Sequence, residues 1–370
     1  MPLRIGLAYD LFGSYPLRPG APPDAEVEYE PEATIHVLEA ALRRLGHEPV
    51  RLGNPHAVLA AVGTGRPPIL DAVLTIAEGY GPRNREAWVP VLCEMAGIPT
   101  LGSDALTLST TLDKVWAHRV VAAAGVPVPA HASLASPEDA ARADLPAPFP
   151  LFVKPRWEGT AKGIGPSSRV ESREALVREV ARVVATYSQP ALVEAFLEGP
   201  EYTVTLVGHR PLRALPTLQR ALEASTGIGA HAIERHPPPP GGWSHVTPGA
   251  LDPALEADLV ALGRRAFEAL ECRDFARADF RLDRAGQPHF LEINPLPTFA
   301  PDGSFGIIAE LLGRPLEDLL AEVLGEALAR LGLARHGVPR FRHSTRDDCA
   351  GPAEGNGARR PATTRRRVRT

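Results

Sequence analysis

The clearest alternation of hydrophobic and polar positions lies in residues 276–295. Apolar residues recur at the two-residue period of a β-strand in 276–282, and a second β-like apolar run occupies 288–295. Between them, 283–286 reads Asp-Arg-Ala-Gly, which has the chemistry of a turn. The pattern predicts a β-hairpin.

Ionic and amide side chains mark one face of this predicted hairpin. Arg277, Asp279 and Arg281 share a face of the first strand, and Glu292 and Asn294 share a face of the second. If Asp279 lies opposite Glu292, two carboxylates meet, which is destabilising unless a cation lies between them. Hard oxygen ligands of this kind suit Mg²⁺, which takes its remaining ligands from water and substrate phosphates. The alternative is a solvated hairpin face with scattered charges.

The first third of the chain alternates between strand and helix patterns. The predicted elements are strands at 3–9, 49–52 and 72–77 and helices at 32–45 and 84–96. Such alternation is typical of a parallel α/β sheet. We therefore expect an N-terminal α/β domain over 1–105.

The rest of the chain predicts two α+β units and a tail. The second unit, 106–205, has predicted helices at 113–125 and 172–186 and strands at 149–155, 191–197 and 201–207. The third unit, 206–335, holds the hairpin and has predicted helices at 253–271 and 315–331. Residues 219–250 lack periodicity and predict a long loop, which in a compact domain is usually functional or disordered.

The composition is that of a soluble enzyme and excludes several classes. Of 370 residues, 44% are hydrophobic and 23% charged, with a net charge of −4, so the whole chain shows no preference for nucleic acid or a membrane. Three cysteines without metal-like spacing, no signal-peptide pattern and no long apolar run predict a cytoplasmic protein. The segment 336–370 predicts a disordered basic tail, because nine arginines stand against three acids from Arg340 onward.

Lysine is rare enough in this chain to be informative. Of 40 basic residues only three are lysines, and these are Lys114, Lys154 and Lys162. A lysine retained where arginine is favoured suggests a need for its compact ammonium, for instance against a phosphate. Lys154 ends a predicted strand before a glycine-bearing loop at 156–165, whose backbone N–H groups could cradle phosphates.

The common nucleotide-binding motifs are absent. The spacing of a Walker A motif does not occur, and no GxGxxG follows the first strand. Glu194 ends a predicted strand, where neighbouring backbone groups could hydrogen-bond an adenine edge, and Glu201 could take ribose hydroxyls.

The order of these short motifs resembles the ATP-grasp carboxylate–amine ligases, most closely the D-alanine–D-alanine ligase family. The resemblance covers about 70–315 and rests on a set of motifs: Asp113-Lys114, Val153-Lys154-Pro155, Glu158-Gly159-Thr160, Val193-Glu194, Gly199-Pro200-Glu201, Arg277-Ala278-Asp279 and Leu291-Glu292-Ile293-Asn294. It implies a three-domain ATP-grasp fold, α/β and α+β, with ATP held between the central and C-terminal domains. It also implies an ADP-forming ligase that makes an amide bond through an acyl phosphate.

The resemblance also implies roles for single residues. The nucleotide-binding set would be Lys114 and Lys154 on the phosphates, Glu194 with backbone of Ala195 and Leu197 on the adenine, and Glu201 on the ribose. The metal set would be Asp279, Glu292 and Asn294, holding two Mg²⁺ ions, with Mn²⁺ as the alternative. Arg277, helped by a backbone N–H near Thr298, would stabilise the oxyanion, and the Thr160 hydroxyl would act in the phosphate-side loop.

Departures from the family pattern fall where substrates would bind. Glu28 or Glu32 would replace the family's amine-binding glutamate, and Glu78 to Glu86 replaces its His-Gly-x-x-Gly-Glu-Asp stretch. Arg83 and Arg85 could pair with a substrate carboxylate or with Glu86, and Ser304 would anchor the second carboxylate. The loop over the active site lacks the family's Lys-Tyr pair. We therefore expect amino-acid or carboxylate substrates, with an authentic D-alanine–D-alanine ligase as the alternative, and leave a homodimer open.

Overall fold

The computed structural model describes residues 1–17, 19–63, 69–223, 226–229 and 251–333. All of them lie in one compact unit, Met1–Arg335. The expected basic tail at 336–370 and most of the expected loop at 219–250 lie outside the described residues. The expected domain boundaries within the unit stay predictions.

The N-terminal part is a parallel four-stranded sheet with helices. Its strands run in the order β2-β1-β3-β4. They are β1 (Arg4–Tyr9), β2 (Glu48–Gly53), β3 (Ala72–Ile76) and β4 (Thr100–Leu101), and the helices are α1 (Glu32–Arg44), α2 (Pro55–Gly63) and α3 (Trp88–Met95). The expected helix at 84–96 is a 3₁₀ turn, Arg85–Ala87, followed by α3.

The central part is an antiparallel four-stranded sheet in the order β5-β8-β6-β7. Two helices lead into it, α4 (Ala105–Leu112) and α5 (Lys114–Ala123), and Asp113 caps α5 by accepting from the backbone N–H groups of Val115 and Trp116. The other elements are β5 (His131–Leu134), α6 (Pro137–Arg142), β6 (Leu151–Pro155), β7 (Arg169–Val170), α7 (Arg173–Tyr187) and β8 (Ala191–Ala195).

The third sheet carries the predicted hairpin. Its strands run in the order β10-β9-β12-β13, and β11 pairs with β9. They are β9 (Glu201–Val207), β10 (Arg213–Ala214), β11 (Leu218–Arg220), β12 (Phe275–Leu282) and β13 (Pro288–Asn294), and the remaining helices are α8 (Pro253–Ala269), α9 (Ser304–Leu311) and α10 (Leu316–Arg330). The expectation of an unstructured 219–250 was wrong at its start, because β11 ends at Arg220 and Leu222 bridges to Gly229.

The two ends of the described chain share one hydrophobic core. Leu7 of β1 and Leu38 of α1 pack in the same cluster as Phe305 of α9 and Leu324 of α10. Burial of this apolar surface fixes the C-terminal helices on the N-terminal sheet. Among the described helices, none is both long enough and apolar enough to span a membrane.

Candidate active site

Three polar rows cross the face of the sheet formed by β9, β12 and β13. Residues in register on neighbouring strands share a face, and so do residues two apart on one strand. The rows are Glu201 with Arg281; Thr203 with Asp279 and Glu292; and Thr205 with Arg277 and Asn294. The register places Asp279 opposite Glu292, the arrangement in which the two carboxylates need a cation between them.

A β-bulge adjoins the middle row. Asp279 pairs with Glu292 but Phe280 pairs with Phe290, so Leu291 is the extra residue on β13. The Leu291 carbonyl lies 2.9 Å from Nε2 of His118, on α5. The bulge therefore ties the strand that carries Glu292 to the helix that carries Lys114.

Each carboxylate of the middle row is held by a cation. Asp279 accepts from Arg277 at 3.2 and 3.0 Å and from the Thr203 hydroxyl at 2.9 Å. Glu292 lies 3.1 Å from the Lys114 ammonium. Burial opposes ionisation of Glu292, but Lys114, Lys154 and Arg277 outweigh it and lower its pKa to about 2.

The donor set of these rows fits a hard divalent cation that shares its coordination with phosphates. Asp279, Glu292 and Asn294 offer carboxylate and carboxamide oxygens, the ligands that Mg²⁺ prefers. One lone pair of Asn294 Oδ1 is taken by the backbone N–H of Leu296 at 2.8 Å. Within the described ranges no three His, Cys, Asp or Glu side chains form a metal cluster. An ion here would therefore depend on substrate oxygens as well.

The cleft wall that the sequence predicts to face adenine is built on β6 and β8. The Lys154 ammonium lies 2.8 Å from Glu194, whose other carboxylate oxygen has no hydrogen-bond partner among the described residues. Burial acts against ionisation of Glu194, yet Lys154 and His118 lower its pKa. The Glu194 side chain is thus paired with a lysine, and Ala195 and Leu197 line the same cleft.

The loop after β6 has a backbone suited to anions. Thr160 and Ala161 are both in the left-handed region, with φ of 48° and 54°. Such a conformation is costly for a β-branched residue and concentrates at functional sites. Gly163 also has positive φ, and a Cβ there would lie 2.3 Å from Pro155. The loop is therefore folded tightly onto the end of β6.

These walls line one cleft, which is open to solvent and has a cavity volume of about 110 Å³. Its lining unites ten of the residues predicted from the sequence: Lys114, Lys154, Thr160, Glu194, Ala195, Leu197, Glu201, Arg277, Asp279 and Glu292. That lining does not include Asn294 or four residues expected to contact substrate, Glu28, Glu78, Arg83 and Ser304.

Glu28 lies in a buried ionic network beside the cleft. Its carboxylate accepts from Arg85 at 3.0 and 3.1 Å, from Lys162 at 3.1 Å and from the backbone N–H of Gly159 at 2.6 Å. Burial opposes ionisation, but Arg85 and Lys162 lower the pKa of Glu28 to about 2. A substrate ammonium would have to compete with these partners. The alternative residue, Glu32, lies on α1 in an ion pair with Arg51.

Glu78 and Glu86 form an acidic pair next to this network. Burial raises the pKa of Glu86 to about 7, and burial with the charge of Glu86 raises that of Glu78. Arg85 does not hold a substrate-facing position; it is 2% exposed and bonded to Glu28, Glu158 and the Trp157 carbonyl.

The other residues expected to contact substrate lie outside the cleft lining. Arg83 is exposed and lies 3.5 Å from Asp113, in a shallow surface pocket outside the main cleft. Ser304 is the first residue of α9; its buried hydroxyl has no hydrogen-bond partner among the described residues. The Thr298 hydroxyl accepts a hydrogen bond from the backbone N–H of Ala300 at 3.1 Å.

Sequence reasoning missed two cleft residues that the structure brings in. Arg220 belongs to a strand for which the pattern gave no signal. Arg281 was placed on the right face of the hairpin but given no role; it stacks on Phe196 and contacts Glu201 at 3.8 Å. Lys162 carried a signal through the scarcity of lysine, and the structure bonds it to Glu28 and Glu158.

Comparison with known proteins settles the family. The family described as "D-ala D-ala ligase C-terminus" matches residues 120–325, more than half of the chain. This chain belongs to the D-alanine–D-alanine ligase family. A D-alanine–D-alanine ligase of Halorhodospira halophila is 34% identical over 258 residues, covering 70% of this chain and 80% of the relative. An uncharacterized protein of Sinorhizobium fredii, y4sG, is 32% identical over 301 residues, covering 79% of this chain and 86% of the relative.

Solved structures of D-alanine ligases share the fold. The VanG D-Ala:D-Ser ligase of Enterococcus faecalis superposes with a TM-score of 0.65 at 17% identity, covering 88% of this chain and 100% of that one. A D-alanine–D-alanine ligase of Bacillus anthracis complexed with ATP gives a TM-score of 0.60 at 17% identity, covering 89% and 98%. The predicted ATP-grasp fold is confirmed, and membership of the family makes the chain an ATP-dependent, ADP-forming carboxylate–amine ligase.

Proposed function

We propose that this ligase joins an amino acid, or a related carboxylic acid, to an amine, and that the three polar rows hold the reacting groups. The observation that carries the proposal is the register that sets Asp279 opposite Glu292 and Arg277 opposite Asn294 on one face. Ribose, metal-bound phosphates and the reacting carbonyl would follow one another along these rows.

The nucleotide would be held by the residues that line the cleft. Glu201 would take the ribose, Ala195 and Leu197 the adenine edge through their backbone, and Lys114 and Lys154 the phosphates. To bind phosphate, Lys114 would exchange its ion pair with Glu292, and Lys154 its ion pair with Glu194, for phosphate oxygens. The phosphate would then neutralise part of the charge of each lysine. Mg²⁺ bound by Asp279, Glu292 and Asn294 would neutralise phosphate charge during phosphoryl transfer.

The reaction would proceed in two displacements. A carboxylate oxygen of the first substrate attacks the γ-phosphorus, the bond to the β–γ bridging oxygen breaks, and ADP leaves. The amine of the second substrate then attacks the acyl carbon. Arg277 would stabilise the tetrahedral oxyanion; as this collapses, the bond from the acyl carbon to the phosphate oxygen breaks, and the leaving phosphate takes up the proton that the amine nitrogen loses.

The Thr160 loop would close the phosphate side of the cleft. Two turn hydrogen bonds already hold its shape, from the Lys162 N–H to the Gly159 carbonyl at 2.9 Å and from the Ile164 N–H to the Ala161 carbonyl at 3.0 Å. The Thr160 hydroxyl is exposed at the cleft and could donate to a phosphate oxygen.

An authentic D-alanine–D-alanine ligase is the second candidate. The names of relatives at 34% and 32% identity favour it. Against it stands the acidic pair Glu78 and Glu86, in the segment where the family has a histidine-led motif. The ionic network around Glu28 also counts against the second candidate, because the Glu28 carboxylate already has three hydrogen-bonding partners.

Release of ADP and phosphate tests both candidates. The wild-type protein with Mg²⁺ and ATP is supplied with a panel of amino-acid pairs, with D-alanine alone as one arm. Robust turnover with D-alanine alone would select the second candidate, and turnover with another pair would select the first. Binding of ATP without release of either product by any pair would count against ligation.

A further inference from the structure

Arg220 lies at the metal end of the cleft. It is in register with Glu201 on the adjoining strand, and its Nε donates to the Thr203 hydroxyl at 3.0 Å. That hydroxyl in turn donates to Asp279 at 2.9 Å. The guanidinium is thus one hydrogen-bonded side chain away from a proposed metal ligand, on a rigid strand.

The charge around Arg220 points to an anionic ligand. Burial and the like charge of Arg277 lower the pKa of Arg220, and both guanidinium groups line the cleft. Attraction comes from Asp279, Glu201 and Glu292. Glu292, however, is also held by Lys114, and Asp279 makes two hydrogen bonds to Arg277.

Metal binding would remove much of this neutralisation. A cation bound by Asp279 and Glu292 would neutralise their negative charge. The guanidinium groups of Arg220 and Arg277 would then lie close together in a low-dielectric cleft without those carboxylates to balance them. Phosphate oxygens would supply the negative charge that the two carboxylates no longer supply, and the planar fork of arginine matches the geometry of those oxygens. Such a ligand must reach the end of the cleft where Arg277 lies.

We propose that Arg220 is a catalytic residue that contacts the phosphoryl group transferred from ATP. The proposal rests on the proposed function. As the γ-phosphorus–bridging oxygen bond breaks and the bond to the donor carboxylate oxygen forms, Arg220 neutralises the non-bridging oxygens. ADP carries away the electron pair of the broken bond, and the step requires no proton from Arg220.

Binding of two nucleotides distinguishes a γ-phosphate contact from a structural role. A non-hydrolysable ATP analogue and ADP, each with Mg²⁺, are titrated calorimetrically into the full-length wild type and Arg220→Gln. Loss of a charged hydrogen bond should weaken the analogue by about ten- to a hundredfold and change ADP affinity by less than about threefold. Turnover should fall by about a hundredfold with the KM values of both joined substrates unchanged.

Two further variants make the result decisive. Arg220→Lys keeps the charge but loses the planar fork, so it should recover part of the analogue affinity, and it replaces Arg220→Gln as the test if that variant does not fold. Arg284→Ala removes an exposed guanidinium from the hairpin turn and should change neither affinity. Equal weakening of ADP and analogue, or unchanged analogue affinity in folded Arg220→Gln, would overturn the proposal. A wild type that binds neither nucleotide would contradict the proposed function itself.

Discussion

Arg277 donates to Asp279 on its own strand and is in register with Asn294 on the next strand. Burial acts against its ionisation, but Asp279 and Glu292 raise its pKa, so the guanidinium stays charged at every working pH. A permanent cation at this position suits an oxyanion that forms only during the reaction.

Arg277→Ala should therefore separate turnover from nucleotide binding. We expect kcat to fall by about 10²–10³-fold, the usual cost of losing one oxyanion donor, while ATP affinity changes only a few-fold. Arg277→Lys should be intermediate, because it keeps the charge but loses the planar fork. Steady-state kinetics and calorimetric titration of ATP measure the two quantities.

A parallel loss of turnover and ATP affinity in Arg277→Ala would contradict the oxyanion role. Arg281→Ala is an informative comparison on the same strand. Arg281 contacts Glu201 and the Gly199 carbonyl, so its loss should act mainly on ATP affinity.

Residue identities were predictable where chemistry restricts the choice. The carboxylates of the hairpin, the scarce lysines and Glu201 were found because each combines a charge with a strand end or a turn. Arg220 could not be found, because one arginine among many carries no signal until the fold brings β11 beside β9. The partners of Glu28 are equally non-local, at separations of 57 and 134 residues.

At the scale of elements, α5 is attached to both walls of the cleft by His118. The ring is fully buried, bonds to the Leu291 carbonyl and lies 3.7 Å from Glu194. His131 of β5 lies edge-on to it with ring centroids 4.8 Å apart. Helix, hairpin and central sheet therefore meet at one imidazole.

Burial lowers the pKa of His118 to about 4, which predicts acid sensitivity. Between an unfolded value of about 6.5 and the folded value, the unfolded chain binds the proton first, so stability falls as pH falls. The loss should reach up to about 3 kcal/mol by pH 4. Urea unfolding at pH 7, 6, 5 and 4 measures it.

The contribution of His118 is the difference between two pH profiles. His118→Asn can still donate to Leu291 and should flatten the profile between about pH 6.5 and 4. His36→Gln removes an exposed histidine of α1 and should leave the profile unchanged. Identical slopes in the wild type and His118→Asn would show that other groups cause the acid sensitivity.

Long elements with strong periodicity were predicted well, and short ones were not. The expected strand at 201–207 coincides with β9, and the expected helices at 172–186 and 253–271 differ from α7 and α8 by one or two residues. Two-residue strands such as β7 and β10 were missed. They are defined by pairing with a neighbour and carry too few residues to show a period.

At the scale of the whole molecule, Asp274 connects the β12–β13 hairpin to the N-terminal sheet and to the C-terminal helix α10. It immediately precedes β12, is 1% exposed, and accepts from Arg330 of α10 at 2.6 and 2.7 Å. It also accepts from the backbone N–H of Gly102, after β4, at 2.8 Å. Arg330 reaches the same strand by donating to the Thr100 carbonyl at 3.1 Å.

Breaking this junction should destabilise the fold without altering the chemistry of the cleft. Asp274→Ala leaves the partly exposed Arg330 without its carboxylate, which should cost about 3 kcal/mol, the lower end of the range for a buried pair, and Arg330→Ala should cost a similar amount. Because the two side chains share one interaction, the double variant should lose less than the sum by at least about 1 kcal/mol. Denaturant unfolding gives the free energies, and kcat at 15 °C, where all variants stay folded, should remain within a few-fold of wild type.

Strict additivity of the two losses would show that the junction contributes through separate contacts. A collapse of kcat in the folded variants would mean that the junction sets the position of the β12 carboxylate as well.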